Sequence, residues 1–248
     1  SLPRAGATLA VQAEARCRAG VDRDLRVPAA VGHTRPMAHR LTAATIDDEA
    51  ALRALLGEPS PLVCAKLADR LVAETRPFIE RAPFVLLATS DRAGRCDVSP
   101  RGDPPGFVRI LDDRTLLLPE RPGNRLADSL RNIVANPHVG LLFVVPGVGD
   151  TFRVNGRATL TTDRDLLAPS AIEGKPPALG IVVDVDEAYT QCSKAVLRAQ
   201  LWEPARFIDR AALPSSGAIL RALQGDGFDA DGYDAARAER YARRDGFY

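Results

Sequence analysis

From Ile46 the pattern of polar and apolar positions is helical. Asp47-Asp48-Glu49 suit the positive end of a helix dipole, Leu52, Leu55 and Leu56 line one side, and Gly57 and Pro59 end the run. A second helix is predicted from Pro61 to Arg76, with Leu67, Leu71 and Val72 at helical spacing, handing the chain to Phe78, Ile79 and a strand over Phe84 to Thr89. Further short strands follow, broken at Asp91-Arg92-Ala93-Gly94, Asp112-Asp113, Pro146-Gly147 and Asn155-Gly156, a spacing that favours an antiparallel barrel. The apolar run Leu179 to Val185 has too few polar positions for an exposed sheet face and predicts an interior or interfacial strand. Ala195, Val196 and Leu197 fall in a helix ending before Pro204. Phe207 to Leu223 reads as a further helical element, and a polar loop then leads to a last basic helix.

One helix has both ends marked. Asn124 follows Gly123 as the predicted N-cap, Leu126, Leu130, Ile133 and Val134 form a half-buried stripe, and Pro137 stops the helix before the apolar run Val139 to Val145. Free amides in a first helical turn and the dipole's positive end favour a phosphate or carboxylate, and Arg125 adds a fork of donors. The same residues also make a tight, well-capped turn with a solvated arginine, and spacing alone does not separate the two readings.

Composition narrows the class. The chain has 248 residues, 46% of them hydrophobic, enough for one large core, which predicts a soluble enzyme or cofactor-binding domain. A formal net charge of +1 gives no electrostatic footprint for nucleic acid or an anionic membrane. No apolar run approaches the roughly 20 residues needed to cross a bilayer, and no continuous apolar segment marks a secretory signal, so a cytoplasmic location is expected. Residues 1–40, rich in Arg and Ala and containing the single Met37, read as an N-terminal extension to one domain spanning residues 41–248.

Several site chemistries are disfavoured. Cys17, Cys64, Cys96 and Cys192 are far apart and only three histidines are present, so a structural zinc site is not expected and the thiols are read as reduced. No Ser, His and acid set stands out, no G-x-G-x-x-G follows a strand, and Gly174-Lys175 lacks the upstream glycine of a P-loop. The acidic stretch at Gly225 to Gly232 fails as a calcium loop: with Asp229 and Asp231 at the third and fifth positions, Gly227 falls at the first and Ala238 at the twelfth.

Six ordered blocks carry a stronger signal: ATSDRAGRCDVSPRGDPPGFV from Ala88, LPERPGN from Leu118, SLRNI from Ser129, NPHVGLLF from Asn136, PGVGDTFRVNGRA from Pro146 and CSKAVLRAQLW from Cys192. From about Leu41 to Tyr248 the chain resembles the flavin-binding split-barrel proteins of the pyridoxamine 5'-phosphate oxidase superfamily. The resemblance implies an α+β, mainly β fold: an antiparallel six-stranded split barrel with flanking helices, forming a homodimer that binds FMN in a groove between subunits. It implies phosphate recognition by Ser99 and Arg101 with Asn124 and Arg125, the approach of Lys194 and Arg198 to the same cofactor, and a backbone contact from Pro119 to the isoalloxazine ring.

The activity implied is an FMN-dependent oxidoreductase acting on a small molecule, a role in which the cofactor moves the electrons and no protein nucleophile is required. Two alternatives stand beside it: a non-catalytic flavin-binding or flavin-sequestering protein, and a reductase using the deazaflavin F420. Vitamin B6 oxidation in the superfamily uses a histidine-bearing RLHDR motif, and the matching stretch here, ARFIDRAAL at Ala205 to Leu213, has no histidine. Gln191 stands where related chains often carry His, and His138 is the only histidine in the shared blocks, which disfavours a heme-handling member.

Overall fold

The structure, a computed structural model, describes residues 45–248. The extension expected over residues 1–40 lies outside them. Seven strands form one antiparallel sheet: β1 (Phe84–Ser90), β2 (Cys96–Gly102), β3 (Arg109–Ile110), β4 (Thr115–Glu120), β5 (His138–Val144), β6 (Thr151–Thr161) and β7 (Leu179–Gln191), in the order β2-β1-β5-β6-β7-β4-β3. The fold is the mainly antiparallel, helix-flanked split-barrel type that the motifs implied. It carries one strand more than the expected six because the two-residue β3 pairs with β4 through Arg109↔Leu117 and Ile110↔Leu116.

Alternation builds the core. Val85 and Leu87 of β1, Leu141 and Phe143 of β5, Phe152 and Val154 of β6, and Ile181 and Val183 of β7 point inward and are buried, with half-buried or polar residues between them. β4 departs from alternation: Leu116 to Pro119 are all buried, because this strand is covered on both faces. Phe152 stacks on Phe78 with ring centroids 5.9 Å apart. At Asn155/Gly156 the β6–β7 register shifts, and a Cβ on Gly156 would lie 2.1 Å from the Asp184 carbonyl oxygen, so the close approach of the strands requires glycine there.

Among the described residues the α-helices are α1 (Glu49–Leu56), α2 (Pro61–Ala65), α3 (Arg76–Glu80), α4 (Asp128–Ala135), α5 (Arg164–Leu167), α6 (Lys194–Ala199), α7 (Ser216–Gln224) and α8 (Ala230–Ala242). Asp48 caps α1 by accepting from Ala51 N, and Gly57 ends it at φ 74°. Of the single helix expected over Pro61 to Arg76 only α2 at its start forms; the chain is then irregular as far as α3, which begins at Arg76. Between them Ala68 exchanges backbone hydrogen bonds with Ala188, and Leu71 N donates to Asp113 O at 2.7 Å, so the segment spends its amides on the sheet and the adjoining turn. The element expected over Phe207 to Leu223 is a single 3-10 turn at Arg210–Ala212 and then an α-helix from Ser216, where Ser215 caps α7. Asp229, the residue tested as a calcium ligand, caps α8 by accepting from Gly232 N.

Cys96 and Cys192 carry free, exposed thiols, whereas Cys64 is disulfide-bonded, contrary to the expectation of reduced thiols throughout. Among the described residues, no helix is long and apolar enough to cross a membrane.

Candidate functional site

The SPRGD segment lies on β2, which pairs with β1 and leaves alternate side chains facing α4. Ser129, at the second position of α4, is buried, and its Oγ lies 2.9 Å from both Asp97 Oδ2 and Ser99 Oγ. Arg101 Nε donates to Ser99 Oγ at 3.1 Å. A hydroxyl has one hydrogen, so the order that satisfies every group runs from Arg101 to Ser99, from Ser99 to Ser129 and from Ser129 to the Asp97 carboxylate. One turn on, Asn132 Nδ2 donates to the buried Thr89 Oγ1 at 3.0 Å, while Ile133 enters the core. Ser129 and Asn132 of SLRNI therefore fasten α4 across β1 and β2, and Arg92 closes its far end by donating to Ala135 O at 2.8 Å.

The helix begins later than its residues suggested. Asn124 is not the N-cap: α4 starts at Asp128 behind Ala127, which sits at φ 57° and makes no side-chain cap bond. Asn124 Oδ1 instead accepts from Leu126 N at 2.9 Å, a local turn that competes with helix formation, and Leu126 is left exposed outside the helix. Arg125 is also left-handed, at φ 63°. Two non-glycine residues in that region within three positions cost on the order of 1–2 kcal/mol each, a strain of the kind that concentrates at ligand sites.

Between this loop, β2 and the end of β4 lies a cavity of about 450 Å³. Ser99, Arg101, Pro119, Asn124 and Arg125 all line it. Lys194 and Arg198 do not; they stand on α6, beyond β7. The cavity wall also holds residues that sequence reasoning missed. Arg101 pairs with Glu120, each side chain about one-fifth exposed (18% and 21%). Arg121 Nε donates to Asp103 Oδ2 at 2.6 Å and its other arm to Ser170 O at 2.8 Å. Tyr248 completes this group: its hydroxyl donates to Asp103 Oδ1 at 2.9 Å and its ring lies 5.4 Å from the Arg121 guanidinium. Burial, then the bond to the Asp103 carboxylate, pushes the Tyr248 phenol above its usual range.

Four carboxylates, Asp97, Asp103, Glu120 and Asp128, thus face three guanidiniums, Arg101, Arg121 and Arg125, around one opening. Hydroxyls, left-handed backbone and convergent arginines are the groups that an anion would need, and the acids hold the arginines in place.

The antiparallel split-barrel sheet thus carries a cavity floored by SPRGD and walled by RPGN. A family model described as pyridoxamine 5'-phosphate oxidase matches residues 71–192, and the chain belongs to that superfamily. No curated protein matches it. Among solved structures, it is similar to HupZ of Group A Streptococcus (20% identity over 50% of this chain and 95% of that one, TM-score 0.42). It is also similar to a putative pyridoxamine 5'-phosphate oxidase of Lactobacillus delbrueckii (24%, 49% and 95%, TM-score 0.39) and to an FMN-binding protein of Syntrophomonas wolfei (15%, 47% and 88%, TM-score 0.36).

Proposed function

We propose that the cavity receives the phosphate of FMN and that the protein is an FMN-dependent oxidoreductase acting on a small molecule. The observation that carries this reading is the convergence of Ser99, Arg101, Pro119, Asn124 and Arg125, drawn from separate sequence blocks, on one opening. Family membership supports a flavin, and the donor set fits a phosphate: guanidiniums from β2 and the loop, hydroxyls from Ser99 and Ser129, and the amides of a loop held open by left-handed residues.

FMN, when bound, supplies the electron-transfer chemistry. The chain's residues bind and orient. Arg101, aligned by Ser99, and Arg125 on its strained loop hold the anion, while Pro119 at the end of β4 gives the ring a wall without a backbone donor. Lys194 and Arg198 of one subunit reach the cavity of the other in a homodimer. What supports a second copy is the outer face of β1, β2 and β5, where Val98, Pro100, Leu86 and Leu142 are neighbours and Val98 is 60% exposed.

The test is a visible absorption and fluorescence titration of the purified protein with FMN, repeated with Arg101→Ala and with Asn124→Ala/Arg125→Ala. Each variant loses about tenfold or more in affinity, the scale of one charge-assisted hydrogen bond. Binding untouched by both sets of substitutions contradicts the site. Binding of F420 in place of FMN moves the cofactor to the deazaflavin, and a bound flavin that neither NADH nor NADPH reduces and no acceptor reoxidises makes the protein a flavin binder instead of an enzyme.

A further inference from the structure

We propose that Glu120 is a resident counter-ion that an incoming phosphate displaces from Arg101, so that this one carboxylate sets how tightly the cavity holds anionic ligands. The inference rests on the phosphate reading of the cavity. It starts from the excess of carboxylates over guanidiniums around the opening. Of the three arginines at the opening, Arg101 and Arg121 are already paired with carboxylates, so a dianion gains their charge only where one of them is released.

The acids differ in how firmly they are held. Asp103 has a side chain only 2% exposed and accepts from both Arg121 and Tyr248, so it is fixed. Asp97 accepts from the buried Ser129. Asp128 lies in the first turn of α4, 4.0 Å from Arg131, with no bond to the arginines that line the cavity. Glu120 alone sits on Arg101, the arginine the phosphate needs. It is the last residue of β4, paired there with Leu179, its side chain is one-fifth exposed, and the chain beyond it runs into the 121–127 loop. A carboxylate on a guanidinium reproduces half of a phosphate contact, and here it keeps Arg101 aimed into the cavity until the phosphate takes its place.

The consequence is a split between ligands. FMN has to displace Glu120; riboflavin, which has no phosphate, does not. Glu120→Gln is expected to raise FMN affinity roughly tenfold, as removal of a competing half-buried ion pair would do, and to leave riboflavin affinity within about twofold. Inorganic phosphate gives a readout that does not depend on flavin: the melting temperature of Glu120→Gln rises with added phosphate more than that of the wild-type protein, compared with chloride at equal ionic strength.

Asp128→Asn removes a cavity carboxylate that does not touch Arg101, and is expected to change FMN affinity and the phosphate response far less. Equal responses of wild-type and Glu120→Gln proteins to phosphate overturn the exchange, as does equal tightening by Asp128→Asn, which reduces the effect to bulk charge. A wild-type protein that binds no FMN while Glu120→Gln still gains a phosphate response sinks the flavin assignment and leaves the exchange intact. If Glu120→Gln is misfolded by circular dichroism, the shorter Glu120→Asp, which cannot span the same distance to Arg101, takes the comparison, and a wild-type response from it overturns the proposal.

Discussion

Tyr248 donates a hydrogen bond to Asp103 at 2.9 Å, joining residues 145 positions apart and tying the segment after α8 to the SPRGD turn. Arg121 and Arg244 flank the same ring at 5.4 and 5.6 Å. Tyr248→Phe keeps the ring and deletes only the hydroxyl, so it is expected to cost about 1–2 kcal/mol, one hydrogen bond to a buried carboxylate, in urea unfolding. The phenol's folded-state pKa is raised, so its contribution is fully present below the ordinary tyrosine value of 10.0 and is lost as pH rises through the shifted value. The stability gap between wild-type and Tyr248→Phe proteins therefore narrows above pH 10; a gap that widens there contradicts the assignment.

Ser129 is the joint between α4 and β2. Ser129→Ala leaves Ser99 and Asp97 without their shared partner in a buried position, and is expected to lower stability by about 1–3 kcal/mol. The urea midpoint reports the loss. A change under a few tenths of a kcal/mol would mean that water replaces the hydroxyl and that the chain from Arg101 to Asp97 is not structural.

Two glycines in the sheet should differ in what a methyl group costs. Gly156→Ala drives a Cβ to 2.1 Å from the Asp184 carbonyl, a backbone atom that cannot yield without breaking the bulge, and costs about 3 kcal/mol or seriously reduces soluble protein. Gly140→Ala meets its nearest atom, Asn155 Oδ1, at 3.4 Å, and costs under about 1 kcal/mol. Comparable melting temperatures for the two variants would contradict the close β6–β7 approach.

What could be read from the chain followed the range of the forces involved. Strand alternation in Phe84 to Thr89 and the apolar run from Leu179 are local, and both stand in the sheet. The five cavity residues on SPRGD, LPERPGN and their flank were named through the resemblance to the flavin-binding split-barrel family, and the structure brings them to one cavity. The start of α4 was misplaced because the Asn124 side chain bonds its own loop, a competition that apolar spacing does not record. The helix expected over Pro61 to Arg76 broke for a non-local reason, the claim of Ala188 on Ala68. The Asp103, Arg121 and Tyr248 group left no mark in sequence, since nothing local brings the ends of a 145-residue separation together. The same holds for the pairing of Arg101 with Glu120, which only the folding of β4 alongside β7, and of β2 alongside β1, creates.

Phosphate recognition by this cavity separates FMN from riboflavin, which differ only in that group. The most direct measurement is the ratio of FMN to riboflavin dissociation constants for the wild-type protein and for Arg101→Ala, taken by flavin fluorescence at fixed ionic strength. FMN is expected to bind about a hundredfold more tightly than riboflavin to the wild-type protein, as two charge-assisted contacts would give, and Arg101→Ala to bring the ratio down by about tenfold or more. Equal affinities for the two ligands, or a ratio unmoved by Arg101→Ala, would contradict phosphate recognition by this cavity.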